Sequence, residues 1–141
     1  MTDPVYRAPL RSRSDEVDHA AAVEWALVRG VVGVGEPGDD RAERRLARFC
    51  DAPVGAHVWT RHPDGRTYLG RITGPCRRDD DGSGLDLVHV RDCDWIEEPV
   101  DPALVPAAVT QTFARGGRNW QRIHPGVVED ETARAWRRLG S

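Results

Sequence analysis

The residues best suited to chemistry are three cysteines and five histidines. Cys50, Cys76 and Cys93 are widely spaced and form no CxxC pair, so the sequence favours reduced, mostly structural thiols over a disulfide framework or a zinc site. His57 and His62 would alternate faces of a strand, which is not the arrangement of paired metal ligands. The candidates for a nucleophile beside a base are these cysteines with His57, His62, His89 and His124. No local catalytic signature contains them, so we expect no metal, no cofactor and no enzymatic activity.

The basic residues are also informative, because all 20 of them are arginine. Residues 57–78 carry five arginines against a single acidic residue, Asp64. A second basic cluster consists of Arg115, Arg118 and Arg122. The acidic residues concentrate at 79–81 and 92–101, and the formal net charge of -3 argues against a general polyanion binder. An acidic protein can still present a basic face; a solvated surface of mixed charge is the alternative.

The stretch 56–76 contains the clearest pattern in the chain. Two alternating runs flank Pro63-Asp64-Gly65-Arg66, which predicts a β-hairpin. Centring the turn on Asp64 and Gly65 pairs Trp59 with Gly70. With no side chain opposite it, the Trp59 indole either packs on the Gly70 backbone, which we favour, or borders a space for a flat ligand. Trp59 then shares its face with His57, Arg61, Tyr68, Gly70 and Ile72.

The remaining elements are predicted from periodicity and capping residues. A helix with Val17, Ala21, Trp25 and Val28 on its apolar stripe ends at Gly30. Residues 31–36 form a buried strand whose glycines lack the third spaced glycine of a dinucleotide site. Asp39 or Asp40 caps a second helix. The acidic turn 79–84 lacks the distal glutamate of a calcium loop. Further elements are an N-terminal edge strand or arm (4–10), a strand (85–91), a broken helix (101–115), a short strand (119–123) and a closing helix (128–139).

This order of elements predicts an α+β domain in which short, mostly antiparallel strands form a small open or closed barrel with helices packed outside. We expect a single domain over residues 1–141, with 1–13 as a partly flexible arm. The sequence contains neither an apolar run near ~20 residues nor a leader resembling a signal peptide, so we expect a cytoplasmic protein without a membrane partner.

Four stretches, VEWALVRGVVGVGE, VWTRHPDGRTYLGRITGP, LVHVRDCDW and NWQRI, occur in an order that resembles the PUA-like superfamily. The resemblance spans roughly residues 5–123 and is strongest to EVE-type and YTH-type domains and to the N-terminal modules of Mrr-type restriction proteins. It implies a PUA-like β-barrel that holds a flipped or modified nucleobase in an aromatic pocket without catalysis. The strand after the first helix offers no aromatic residue, so a two-tryptophan cage of the YTH kind is not expected.

By this resemblance, the base pocket consists of Tyr6, Arg7, Gly35, Glu36 and Trp59, with Trp95 and Trp120 as weaker candidates. The chemistry of base recognition adds Asn119, since an amide can read a base edge. Flanking phosphates would be held by Arg61, Arg66, Arg71 and Arg118. The expected partner is a nucleic acid, DNA or RNA, in a stand-alone reader or in a defence or regulatory system with an effector protein. The alternatives are a protein–protein adaptor that uses the aromatic face and, with less support, a small hydrolase.

Overall fold

The computed structural model describes residues 2–140, which form one six-stranded mixed sheet with helices on both faces. The strands are β1 (Val5–Arg7), β2 (Val31–Val34), β3 (His57–Arg61), β4 (Thr67–Arg78), β5 (His89–Trp95) and β6 (Gln121–Arg122). The helices are α1 (His19–Arg29), α2 (Asp40–Asp51), α3 (Ala107–Ala114) and α4 (Val127–Leu139), with short 3-10 turns at Asp80–Leu85 and Pro102–Leu104. The α+β class is therefore confirmed.

The sheet does not close into a barrel, so that part of the expectation is wrong. Its strand order is β2-β5-β4-β3-β1-β6, and within residues 2–140 the terminal strands β2 and β6 do not pair with each other. Four of the five pairings are antiparallel, and β1 with β3 is parallel. β6 contributes only two residues before the chain enters α4, so no strand remains to bridge the two edges. β1 lies between β3 and β6 and is not the predicted edge strand.

Both faces of the sheet are buried. Val58 and Ile72 belong to a core cluster that includes α1 and Phe49 of α2. Trp59 and Leu69 belong to a second cluster that includes α3 and α4. Neighbouring residues of one strand fall in different clusters because successive side chains point to opposite faces. The prediction of helices packed outside the strands is confirmed.

The hairpin between β3 and β4 forms as predicted, but its register differs by one residue. Trp59 pairs with Leu69, and Val58 pairs with Gly70. The Gly65 N–H donates to the His62 carbonyl at 2.8 Å, and the His62 N–H donates to the Arg66 carbonyl at 2.8 Å. This is a three-residue loop with Gly65 at φ 99°, rather than a turn centred on Asp64 and Gly65. One extra loop residue reverses the faces of β4, so Gly70 lies beneath Trp95 and Cys93 instead of Trp59.

Capping residues define the two helices next to β2. Gly30 adopts φ 72° and ends α1 as predicted, and Asp39 caps α2 by accepting from the Ala42 N–H at 2.7 Å. α1 begins later than predicted because Asp18 is its N-cap. Its buried residues are Ala22, Val23 and Ala26, while Val28 is 90% exposed. β5 also begins later than predicted, since Asp86 ends the preceding turn at φ 58°.

The end of α2 is fixed to the sheet by a disulfide bond and a buried guanidinium. Cys50 of α2 and Cys76 of β4 are bonded, with their Cα atoms 5.1 Å apart, so the expectation of reduced thiols is wrong for this pair. Their separation of 26 residues carries no spacing signal in the sequence. Arg91 is 2% exposed and donates to the carbonyls of Phe49, Ala52 and Gly74. Cys93 remains a free, buried thiol.

No helix within residues 2–140 is both long and apolar enough to cross a membrane. Disulfides are more common in oxidising compartments, so a cytoplasmic location stays a prediction.

We expect the Cys50–Cys76 disulfide to contribute about 3 kcal/mol to the free energy of unfolding, because it closes a loop of intermediate length in the unfolded chain. Denaturant unfolding with and without a thiol reductant measures this contribution. The Cys50→Ser/Cys76→Ser variant is the control and should not respond to the reductant. Equal unfolding midpoints for the oxidised and reduced wild-type protein would contradict the prediction.

Candidate functional site

A stacked aromatic pair stands at the centre of the candidate site. The rings of Tyr6 and Trp120 have centroids 4.6 Å apart and an interplanar angle of 18°. Phe49 of α2 meets Trp120 edge-on, with centroids 4.9 Å apart. Trp120 is 7% exposed, and its indole N–H has no hydrogen-bond partner within residues 2–140. The pair thus combines a well-supported aromatic surface with one unsatisfied donor.

The first recess next to this pair, here the Trp120 cleft, has a volume of about 90 Å³. It is lined by the segment after β1 (Ala8, Pro9, Leu10, Arg11, Arg13), by β2 and the residues after it (Gly33, Val34, Gly35, Glu36, Pro37), by α2 (Ala42, Arg45, Leu46), and by Asp86, Leu87, Arg118, Asn119 and Trp120. Gly35 permits this geometry, because a side chain there would overlap Asp86. The Ser12 hydroxyl donates to the Asp86 carboxylate at 2.8 Å, which orients that carboxylate.

The second recess, here the α2 groove, has a volume of about 580 Å³. Its lining includes Tyr6, Arg7, Arg45, Arg48, Asp51, Asn119, Trp120, Gln121 and Arg122. It shares Arg45, Asn119 and Trp120 with the Trp120 cleft. Neither Arg45 nor Arg48 has an acidic partner within 4.0 Å in the described part of the chain. Two guanidinium groups without an ion pair in residues 2–140 therefore line the groove beside the aromatic pair, together with the Asp51 carboxylate.

Six of the eight residues predicted for the base pocket lie around these two recesses. Gly35 and Glu36 line the cleft, Tyr6 and Arg7 line the groove, and Asn119 and Trp120 line both. The pairing of β1 with β6, in which Tyr6 is opposite Arg122, accounts for the meeting of residues so distant in sequence. Trp59 and Trp95 line neither recess.

Trp59 and Trp95 are instead used for packing. Trp59 is 0% exposed, and its indole N–H donates to the Thr132 hydroxyl of α4 at 3.1 Å. Trp95 donates to the Val31 carbonyl at 2.9 Å, and its ring lies against Gly70. Trp59 thus packs in the core, although not on Gly70 as the predicted register requires. Both indole donors are already satisfied within the protein.

Arg7, next to Tyr6 in β1, is a buried arginine that donates to backbone carbonyls. It is 6% exposed and donates to the carbonyls of Thr112 at 3.1 Å, Gly116 at 2.9 Å and Asn119 at 3.3 Å. Burial lowers the pKa of this guanidinium, and the nearby charge of Arg115 lowers it further. These bonds hold the chain that leads into Trp120 against the end of α3. Arg7 therefore positions Trp120, and its donors are largely occupied.

Glu36, two residues after β2, forms an ion pair with Arg78 and a hydrogen bond with His89 beside the cleft. Its carboxylate accepts from Arg78 at 3.0 Å and lies 2.6 Å from His89 Nε2. Hydrogen bonds from Arg78 and His89 lower the pKa of Glu36. The carboxylate is thus ionised at neutral pH. It is already bonded to Arg78 of β4 and His89 of β5.

The four arginines predicted to hold phosphates are dispersed. Arg118 lines the cleft, where it donates to the Ser12 carbonyl at 2.9 Å and pairs with Asp15 at 2.6 Å. Arg66 pairs with Asp64 at 2.6 Å in the hairpin loop, and Arg71 donates to the Gly55 carbonyl at 3.3 Å. Arg61 is exposed at the end of β3, and none of these last three residues lines the cleft or the α2 groove.

Sequence reasoning missed four further arginines that line the recesses. Arg11 and Arg13 follow β1, and Arg45 and Arg48 belong to α2. The helical spacing of Arg41, Arg45 and Arg48 was a usable signal, because residues three and four apart share one face of a helix. It becomes informative only when α2 is known to pack beside Trp120.

The candidate nucleophiles do not form a catalytic pair. Cys50 and Cys76 are bonded to each other, and burial raises the pKa of the Cys93 thiol. His57 is 4% exposed, and burial lowers its pKa to about 4. No group of three or more histidine, cysteine or acidic side chains suited to a metal occurs in residues 2–140.

No protein-family model and no curated protein matches the chain. Among solved structures, one match is the YTH domain of the Zygosaccharomyces rouxii MRB1 protein in complex with N6-methyladenosine RNA. The sequence identity is 18% and the TM-score is 0.48, with 92% of this chain and 85% of that chain covered. At this identity and TM-score the comparison assigns no family, so membership of the PUA-like superfamily stays a prediction.

We expect Gly35→Ala to lower the free energy of unfolding by about 1–3 kcal/mol, because the new Cβ would overlap Asp86 in the cleft wall. The matched control is Gly38→Ala, since a Cβ at Gly38 has no heavy atom within 4 Å. Chemical denaturation of both variants checks the prediction. Equal stability of the two variants would show that the end of β2 does not approach Asp86 as described.

We expect the stability of the protein to depend on the protonation of His57. The pKa of His57 in the folded protein is about 4, below the ordinary 6.5, so its protonation costs no stability above pH 6.5. As the pH falls from 6.5 towards 4, the unfolded chain binds the proton first, and the loss reaches about 3 kcal/mol. The difference in unfolding free energy between His57→Phe and the wild type should therefore shift by that amount. Parallel stability curves for the two proteins would contradict the prediction.

Proposed function

We propose that this protein is a non-catalytic module that binds nucleic acid and holds one flipped-out or modified base against Trp120. The observation that carries the proposal is the stacked Tyr6–Trp120 pair at the junction of two arginine-lined recesses. The sequence resemblance to PUA-like base-binding domains supports the same class of function. A role in a defence or regulatory system belongs to this proposal only through that resemblance.

The residues around Trp120 supply the two kinds of contact that a base needs. Stacking on an aromatic ring contributes ~1–3 kcal/mol per base and tolerates any base. Reading the edge of a base requires donors and acceptors at fixed positions. The Trp120 indole N–H is a buried donor without a partner among the residues described. The Asp86 carboxylate accepts from Ser12 and can accept a further bond, and the Asn119 amide oxygen accepts from Arg13 while its NH₂ group can donate. This set is suited to a polar, planar ring.

The size of the recesses indicates how the base would enter. The Trp120 cleft, at about 90 Å³, is smaller than typical small-molecule pockets, which measure roughly 300–1,000 Å³. The α2 groove, at about 580 Å³, is large enough and lies on the other side of the shared residues. We therefore infer that the strand approaches along the α2 groove, and that insertion of a base displaces side chains at the boundary of the two recesses.

Electrostatics supports an anionic partner at this surface despite the net charge of -3. Extruding a base from a duplex costs a few kcal/mol, so contacts to the flanking phosphates must compensate. Arg45 and Arg48 have no acidic partner in the part of the chain that the structure describes. They are placed to supply this charge next to the aromatic pair.

The alternative of a protein–protein adaptor has one observation in its favour. A groove of about 500 Å³ between the hairpin loop and α3 is lined by Val100, Val105, Val109 and Phe113. The large hydrophobic residues that are exposed within 2–140, however, are Val28 of α1, Val54 before β3 and Val127 of α4, and none of them lines this groove. An effector protein that works with this module would be expected at this groove between the hairpin loop and α3, away from Trp120.

The test is binding to a panel of short DNA and RNA oligonucleotides that each carry one modified base, followed by tryptophan fluorescence and calorimetry at two salt concentrations. We expect one modification to be preferred, and Trp120→Ala to weaken binding by about 1–3 kcal/mol. Trp120→Phe, which keeps an aromatic ring, should retain most of the affinity, and Trp136→Phe on α4 is the control for fluorescence. Circular dichroism confirms that each variant is folded.

A second pair of variants tests the charge independently of Trp120. Arg45→Ala/Arg48→Ala should weaken binding to all sequences alike and reduce its dependence on salt. Arg134→Ala/Arg138→Ala removes the same charge from α4 and should have little effect. Failure of the folded wild-type protein to bind any oligonucleotide would overturn the proposal and favour the adaptor.

A further inference from the structure

A third recess, here the His62 recess, lies beside the Trp120 cleft between the hairpin, the segment after β1 and the end of α3. It has a volume of about 430 Å³. Its lining includes Arg11, Arg61, His19, His62, Phe113 and Gly116. We propose that this recess binds a backbone phosphate of the strand whose base occupies the Trp120 cleft. The inference rests on the proposed function. It adds where the bound nucleic-acid strand runs next to the base.

Two arginines at the recess are available for an anion. Arg11 and Arg61 are both exposed, and neither lies within 4.0 Å of a carboxylate in residues 2–140. Two neighbouring arginines differ in that respect, since Arg66 pairs with Asp64 and Arg118 pairs with Asp15. A guanidinium binds phosphate oxygens through two parallel N–H donors. An anion between Arg11 and Arg61 would satisfy donors that now face solvent.

His62 adds a donor in the wall of the recess. The residue is 8% exposed, and its Nδ1 accepts from the Asp64 backbone N–H at 3.1 Å. The neutral ring with this bond carries its hydrogen on Nε2, and the protonated ring carries one there as well. That nitrogen has no hydrogen-bond partner among the residues described, since the carboxylate of Glu24 is 3.7 Å away. Nε2 is enclosed in the wall, so a phosphate oxygen accepts from it only after neighbouring side chains move aside.

The charges around His19 indicate a positive potential at the same place. His19 Nε2 lies 2.9 Å from the Pro9 carbonyl, which fixes the ring at the edge of the recess. Burial is the main cause that lowers its pKa, and the nearby charges of Arg11, His62 and Arg118 lower it further. The guanidinium groups of Arg11 and Arg118 are fixed positive charges that attract an anion. The acidic side chains nearest the recess, Asp64 and Glu24, adjoin His62.

The position of the recess defines which anion it would meet. It shares Pro9 and Arg11 with the Trp120 cleft, so Arg11 stands between the two. Gly116 carries no side chain, and its φ of 77° turns the chain away at the end of α3, which leaves the recess open. A strand that places a base in the cleft therefore has its adjacent phosphate within the neighbourhood of Arg11 and Arg61. A single charge with two free oxygens suits two guanidinium groups and one imidazole N–H.

The test uses the oligonucleotide that binds the wild-type protein best and a copy of it with one neutral methylphosphonate linkage beside the recognised base. Dissociation constants are measured over a range of salt concentrations for the wild type and for Arg11→Ala/Arg61→Ala. Both arginines are exposed, so this variant should unfold at the wild-type midpoint. Arg134→Ala/Arg138→Ala is the control that removes equal charge from α4.

We expect Arg11→Ala/Arg61→Ala to weaken binding about ten-fold and to make the salt slope shallower by about 0.7, the value for one phosphate contact in a single strand. The methylphosphonate copy should lose a similar amount with the wild type and almost nothing more with the variant, because both changes remove the same contact. The free modified nucleoside, which has no phosphate, should bind the wild type and the single variant Arg61→Ala equally, because Arg61 does not line the cleft.

Three results overturn the inference, and they differ in what they imply for the proposed function. If the variant keeps the wild-type salt slope while Trp120→Ala still weakens binding, the recess holds no phosphate, but base binding stands. Additive losses from the variant and the neutral linkage would mean that the arginines contact a different part of the strand. If no oligonucleotide binds the folded wild type, both proposals fall.

Discussion

Two buried guanidinium groups hold this structure together, and the candidate site depends on both. Arg7 donates to Thr112 and Gly116 at the end of α3, and Arg91 donates to Phe49 and Ala52 at the end of α2. Neither is paired with a carboxylate in residues 2–140. The last carbonyls of a helix lack intrahelical partners and carry the negative end of its dipole, so they compensate a positive charge without an acid. Each arginine thereby fixes one helix end to the sheet.

This arrangement explains how a short strand can position an aromatic residue accurately. β6 contributes only two residues to the sheet, which is little support for Trp120 just before it. Arg7 compensates by bonding the Asn119 carbonyl, and Tyr6, its neighbour in β1, stacks on the Trp120 ring. Tyr6 and Arg7, which are consecutive in β1 and point to opposite faces of the sheet, thus both hold the segment of Asn119 and Trp120. α2 completes the site from the other side, where the disulfide and Arg91 restrain its last turn.

The arginines differ in their partners according to whether they are buried, exposed or next to the recesses. Buried arginines are bonded to carbonyls, and many exposed ones form ion pairs with acidic residues, which contribute little to stability because water screens them. The arginines without acidic partners that border the recesses, including Arg11, Arg45, Arg48 and Arg61, surround Trp120 or lie next to its cleft. A protein of net negative charge can in this way present a locally basic surface.

Local patterns in the sequence were sufficient for the elements that depend on neighbouring residues. Gly30 and Asp39 marked helix ends correctly, because capping is a local interaction, and alternation in 56–76 identified the hairpin. The resemblance also pointed to Tyr6, Gly35 and Trp120, and the chemistry of base recognition pointed to Asn119. The structure places these residues around the two recesses. Local patterns misplaced the hairpin register, since a loop of three residues or of two around Asp64 and Gly65 satisfies the same alternation.

What remained was decided only by the tertiary structure, because it depends on contacts between residues far apart in the chain. The open sheet follows from the shortness of β6, and the disulfide from α2 packing over β4. Trp59 and Trp120 are both tryptophans near a predicted strand, but one is enclosed by α4 and the other borders two recesses. Both rings are buried, and the helices that cover each face determine which of them is enclosed and which borders a recess; no local pattern encodes that choice.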